Sequence, residues 1–192
     1  ARLKVATGVC LVVQRDAIQT AKQVATLDQI SGGRFLFGIG AGWNAEEMAD
    51  HGTDFASRFE VMRERVEAMK AIWMKSKPEY DGKFVRFPPM MTWPKPAQKP
   101  HPPVIVGGAY PYGARRAIAY GDGWVPHARR PAYGEVIALL PEFRKMVTAA
   151  GRDPASIPVT IFGVAEEVDA IRRYRDAGVA RVIFNLPVAK AD

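Results

Sequence analysis

The chain has 192 residues, 48% of them hydrophobic and 24% charged, with a net charge of +7 and one cysteine. That size and balance predict a single globular domain over residues 1–192 with a sizeable core. No apolar run approaches the ~20 residues of a membrane span. The amino end, Ala1-Arg-Leu-Lys4, runs straight into strand-like sequence, so no leader peptide and no membrane partner are predicted. Cys10 alone excludes an internal disulfide and fits a reducing, cytoplasmic setting, with the thiol as a small strand residue. The basic residues are spread along helix faces, as at Arg63, Arg65, Lys70, Arg172, Arg173 and Arg175. There is no basic tail, zinc-finger spacing or RNP-like aromatic strand, so nucleic acid is not the predicted partner. A solvated surface with some affinity for anionic ligands accounts for the charge.

Strand and helix signals alternate along the chain. Leu3 to Val13 reads as a strand with Thr7-Gly8 inside it. Asp16 to Ile30 reads as a helix, with Ala17, Ala21, Val24, Leu27 and Ile30 at helical spacing. Gly32-Gly33 stops it. Phe35 to Ile39 is a short apolar strand. Gly40 and Gly42 then permit close backbone approach or positive φ, and Asn44 caps a new helix with Glu47 as its capping-box partner. Ser57 and Glu60 form a second capping box, opening a long helix to Met74 whose stripe of Phe59, Met62, Val66, Met69 and Trp73 predicts core.

Residues 76–103 break the rhythm. Tyr80 to Phe87 reads as a hairpin or extended excursion, and seven prolines between 88 and 103 rule out a helix or a central strand. Met90, Met91 and Trp93 belong to no helix there; they either cover a barrel mouth as a lid or pack on its wall. Val104 to Val106 is a strand ending in Gly107-Gly108, and 112–120 a helix. Residues 121–125 are a turn and short strand, 131–150 a helix, 159–164 a strand, 166–177 a helix and 181–186 a strand. About six strands rich in Val, Ile and Phe, each but the last followed by a helix, are the mark of parallel strands covered on both faces. The closed form of that pattern is the eight-stranded α/β barrel, here with two units fewer. A six-stranded open, doubly wound sheet is the alternative.

Free backbone N–H groups at the carboxyl ends of such strands are where these folds bind cofactors and phosphates. Gly40, Gly42 and Asn44 are candidate lining residues from the opening stretch. The spacing Gly38-x-Gly40-x-Gly42 is not the dinucleotide fingerprint. His127, past a strand, suits proton transfer. Arg58 and Glu47 are further candidates for contact with a ligand. His51 and His101 lack ligand-spaced partners, so no metal site is predicted.

Five segments carry a resemblance: Val5-Ala-Thr-Gly-Val9, Ala25-Thr-Leu-Asp-Gln-Ile-Ser-Gly-Gly-Arg-Phe35, Gly38-Ile-Gly-Ala-Gly-Trp-Asn-Ala-Glu-Glu47, Pro102-Pro-Val-Ile-Val-Gly-Gly108 and Ala119-Tyr-Gly-Asp-Gly-Trp124. In this order they resemble the luciferase-like monooxygenase superfamily, most of all its oxidoreductases that use the deazaflavin coenzyme F420. The resemblance implies an α/β, (β/α)8 TIM barrel of the bacterial luciferase-like type, truncated to about six strands. It implies a cofactor at the strands' carboxyl ends and hydride transfer to or from a small organic substrate. FMN is the alternative cofactor, in a flavin monooxygenase; a non-catalytic fragment is the third reading. It places Thr7, Gly8 and Val9 beneath the ring, often as a bulge with a non-prolyl cis peptide. It gives Gly107, Gly108, Ala109, Gly123 and Trp124 to the cofactor phosphate. A homodimer is the expected assembly, and the unpaired edges of an incomplete barrel are a second route to one.

Overall fold

The structure, a computed structural model, describes residues 2–128 and 135–186. The chain resolves into two compact units, 1–105 and 106–192.

In the first unit, β1 (Val5–Ala6) and β2 (Cys10–Leu11) both pair in parallel with β3 (Phe35–Gly40). The register shows why the expected continuous strand is broken. Ala6 lies opposite Leu36 and Cys10 opposite Ile39, so four residues on one side match three on the other. The extra residue is a bulge over Thr7 to Val9, and the Gly8–Val9 peptide bond within it is cis. After Leu11 the backbone tightens into a 3-10 turn, Val12–Gln14, so the strand stops short of Val13.

Helix α1 (Ala17–Ile30) starts where Asp16 accepts the Gln19 N–H. Every residue of β3 is buried, as a central parallel strand requires. Asn44 opens α2 (Ala45–Asp50), its side chain accepting the N–H groups of Glu46 and Glu47. Helix α3 (Arg58–Met74) departs from the capping-box expectation. Ser57 makes no side-chain cap, because residues 54–57 already form a turn; Asp54 instead accepts the Ser57 N–H. The predicted stripe holds for Met62, Val66, Met69 and Trp73, all buried, while Phe59 is half-buried. Trp73 donates its indole N–H to Ala21 O at 2.9 Å and meets Phe37 edge-on.

The 76–103 excursion is a real hairpin, β4 (Tyr80–Asp81) against β5 (Arg86–Phe87). The buried Glu64 carboxylate ties its turn by accepting the N–H groups of Lys83, Phe84 and Val85. The following proline-rich run is extended and enters β6 (Val104–Gly107) after Pro103 accepts the Phe37 N–H.

The second unit holds α4 (Tyr112–Tyr120), β7 (Gly123–Val125), α5 (Val136–Ala149), β8 (Thr160–Phe162), α6 (Val168–Asp176) and β9 (Arg181–Ile183). Strands β8 and β9 pair in parallel, and single parallel bridges join Trp124 to Val159 and His127 to Phe162. The helix expected over 131–150 is described from Val136 onward; residues 131–134 lie outside the described residues. Trp124, fully buried against Phe143 with ring centroids 4.8 Å apart, is the core of this unit. Among the described residues, no helix is long and apolar enough to cross a membrane.

Candidate functional site

The carboxyl end of β3 is shaped by two glycines that admit the bulged neighbour strand. A Cβ at Gly38 would stand 2.0 Å from the Thr7 carbonyl oxygen, so only glycine fits. Thr7 returns the contact, its hydroxyl donating to Gly38 O at 2.7 Å. At Gly40 a Cβ would meet the Val9 side chain at 2.7 Å. Gly40 therefore seats Val9, and the bulge at Thr7, Gly8 and Val9 presents Gly8 and Val9 on the exposed side. Gly42 has φ +78°, a left-handed turn against Met48 and Leu11, which turns the chain out of β3 before Asn44 caps α2. Between them Trp43 stands almost bare, 81% exposed.

One buried donor at this end has no partner: the Gln14 side-chain amide, on the 3-10 turn directly after β2. A buried N–H left unsatisfied is costly, and a ligand acceptor is one way to satisfy it. Arg58 also keeps a buried Nε without a partner, while its guanidinium lies over the Phe55 ring at 3.7 Å and its Nη1 donates to Phe55 O at 2.6 Å. Glu47 is exposed on the first turn of α2.

In the second unit, the strand end at Gly107-Gly108 leads through Ala109 into α4. Gly108 has φ +144°, and a Cβ there would lie 3.2 Å from the Gly113 Cα and from an Arg116 nitrogen. Its own N–H is engaged with Val125 O at 3.3 Å, so the expected Gly108 donor is already used. Trp124 donates its indole N–H to Gly108 O at 2.8 Å, fixing that glycine from within the core. Gly123 corrects the sequence expectation: it opens β7 rather than ending it and is buried at the amino end of that strand. The carboxyl end of β7 is Val125, followed by Pro126 and His127. The half-buried His127 ring lies on Gly163 (φ +74°), where a Cβ would come within 2.9 Å of it. Among the described residues no His, Cys, Asp and Glu cluster suits a metal ion.

Burial pushes the Cys10 thiol above its ordinary range, an effect that Arg15 partly offsets. The Leu27-to-Arg34 motif, a mark of the family resemblance, sits at the opposite, amino end of β3. Asp28 is fully buried and accepts both the backbone and side-chain N–H of Gln98, whose side chain also donates to Phe35 O. Ser31 accepts the Arg34 N–H, and Lys95 reaches the Ile72 and Lys75 carbonyls at the end of α3. The proline-rich run is thus anchored at the amino ends. The lid reading for Met90, Met91 and Trp93 fails, and Trp93 is simply exposed there.

Sequence reasoning missed Trp43, Gln14 and Gly163. Only Trp43 left a signal, as an aromatic between a turn glycine and a helix cap, where no apolar stripe claims it.

Comparison with known proteins gives the family. Residues 1–187 match the family described as Luciferase-like monooxygenase. An uncharacterised protein of Mycobacterium tuberculosis is 40% identical over 197 aligned positions, covering all of this chain and 66% of that protein. An FMNH(2)-dependent dimethylsulfone monooxygenase of Pseudomonas putida is 28% identical, covering 90% of this chain and 45% of its own. An F420-dependent hydroxymycolic acid dehydrogenase of Mycobacterium tuberculosis is 27% identical, covering 88% and 47%. Among solved structures, the monooxygenase RslO1 of Streptomyces bottropensis superposes with TM-score 0.73 at 27% identity, covering 92% of this chain and 59% of its own. The coenzyme F420 dependent tetrahydromethanopterin reductase of Methanopyrus kandleri gives 0.76 at 18% identity, covering 94% and 76%. The chain thus spans under two thirds of the length of these curated relatives. With its parallel β/α units, bulged strand and glycine-built strand ends, this chain belongs to the luciferase-like monooxygenase family, whose fold is the α/β TIM barrel.

Proposed function

We propose that this chain is part of an oxidoreductase that moves a hydride between coenzyme F420 and a small organic substrate. The observation that carries it is the carboxyl end of the first unit. There a bulge seated on Gly38 and Gly40 presents Gly8 and Val9, and Gln14 keeps an unpartnered buried amide. A planar cofactor with polar ring edges suits both features. The F420-dependent relative supports the deazaflavin. The FMNH(2)-dependent relative, equally similar, supports FMN as the second reading.

The deazaflavin, when bound, supplies the hydride chemistry. The protein's residues do the rest. Val9 and Gly8 offer an apolar floor for the ring, and Gln14 donates to a ring acceptor. In the second unit, taken by itself, Gly108, with its N–H already engaged, sets the direction of the loop, and the Ala109 N–H before α4 is offered to an anion. Trp124 holds Gly108 in place. His127, braced on Gly163, is the proton carrier in this reading. The functional assembly in this reading is a cytoplasmic homodimer.

The test is a titration of the purified chain with F420 and with FMN, followed by cofactor fluorescence. Saturable F420 binding tighter than FMN supports the reading. Tighter FMN binding selects the monooxygenase, and no binding of either assigns the chain a non-catalytic role. Light scattering across micromolar concentrations tests the dimer.

A further inference from the structure

Trp43 is the most exposed of the four tryptophans at 81%. A bare indole on a folded surface is unusual, because aromatic rings are buried or used in recognition. Its setting is built rather than accidental. Gly42 fixes the approach with φ +78°, and the Asn44 side chain locks the exit by capping α2. The two residues hold the backbone of Trp43 from both sides, so the ring is presented on a fixed support. Val9 is another exposed apolar residue of the first unit, its side chain filling the space beside Gly40.

The charge nearby defines what would be welcome. Glu46 and Glu47 follow on the first turn of α2 and are exposed. The amides that would attract an anion are already taken by Asn44. An anionic partner is therefore disfavoured, and a flat aromatic one without negative charge is favoured. We infer that Trp43 is a stacking platform for the organic substrate, which would be a planar aromatic compound without negative charge. This rests on the carboxyl end of the first unit being the site of the proposed reaction. It goes further by naming a specificity residue and a substrate class. Loops after barrel strands are where such choices are made.

The four indole N–H groups provide the test. Trp73 and Trp124 donate to Ala21 O and Gly108 O, whereas Trp93, 64% exposed and anchored near the opposite strand ends, is an internal control. In ¹⁵N-labelled protein, Trp43→Phe and Trp93→Phe identify the two exposed signals. Millimolar 2-naphthol should shift the Trp43 signal and leave Trp93 nearly still, and cyclohexanol should shift neither. Trp43→Leu should weaken 2-naphthol binding roughly tenfold, the scale of one ring stacked on an aromatic side chain. Equal shifts at Trp43 and Trp93, or equal responses to naphthol and cyclohexanol, overturn the platform. A Trp43 signal that moves with protein concentration alone also overturns it, since a second copy then covers the ring. Parallel F420 and FMN titrations keep the two readings separate. Failure of both cofactors with the naphthol response intact removes the cofactor assignment and retains the platform; cofactor binding without that response does the reverse.

Discussion

The two ends of strand β3 are built on opposite principles. At the amino end a set of polar groups is tied together: Asp28 to Gln98, Gln98 to Phe35, Arg34 to Ser31, Lys95 to the last carbonyls of α3. At the carboxyl end the strand is open, with a bare Trp43, a half-exposed Val9 and an unpartnered Gln14 amide. One six-residue strand thus separates a closed, satisfied end from an unsatisfied one. The contrast teaches that sequence identity within a family need not mark chemistry. The Asp28-to-Arg34 motif, so telling for kinship, is stabilising hardware, and the end proposed for the chemistry is marked by what is left undone.

The sharpest way to break the comparison is Gly38→Ala. A Cβ 2.0 Å from backbone oxygen has nowhere to go. The variant should lose more than about 4 kcal/mol and fail to give a cooperative urea transition. A normal midpoint would mean that the bulge is not seated on this glycine. Next is Asp28→Ala at the closed end. It strands two N–H groups of Gln98 in a buried site and should cost roughly 3 kcal/mol in urea unfolding, with Asp28→Asn costing about half as much. Cofactor affinity of the folded fraction should stay unchanged. If affinity falls in step with stability, the two ends are not independent.

Gly108→Val tests the second unit. A side chain at φ +144°, pressed on Gly113 and Arg116, should displace the loop at Ala109 and weaken F420 or FMN binding about tenfold, against about 1–2 kcal/mol of stability. Unchanged binding would remove this turn from the cofactor site. The smallest effect is at Cys10, on β2. Its thiol pKa is raised by burial, so its contribution to stability is complete below the ordinary thiol value of about 8.5 and is lost as pH rises through the folded-state value. Alkylation of the folded chain should therefore inflect above that of a free thiol, and Cys10→Ser should flatten stability in this alkaline window.

Most of the order of elements was legible from local signals. The stripe of α3, the glycine stop after α1, the hairpin before the prolines and the Asn44 cap all follow from short-range patterns. What failed depended on neighbours in space. Leu3 to Val13 has the composition of one strand; the bulge at Thr7 to Val9, expected from the family likeness and found, is imposed by β3 through Gly38, which no local pattern announces. Ser57 looks like a cap, but the preceding turn gave that work to Asp54. Gly123 looked like a strand-end glycine because the start of β7 cannot be read from a three-residue strand. The glycines proposed for the cofactor came from family likeness rather than from spacing. Trp43 and Gln14 escaped because exposure and an absent partner are properties of the folded chain.

The anchoring of the proline-rich run has a practical meaning for protein engineering. Lys95 and Gln98 fasten residues 95–98 to the ends of α1, α3 and β3, while Glu64 independently fastens the hairpin turn at 83–85. The stretch between these two clamps, residues 88–91, makes a natural splice point. Sequences of different length inserted there would be carried on fixed posts at the amino end of β3, away from the candidate site at its carboxyl end, so the fold offers a display position.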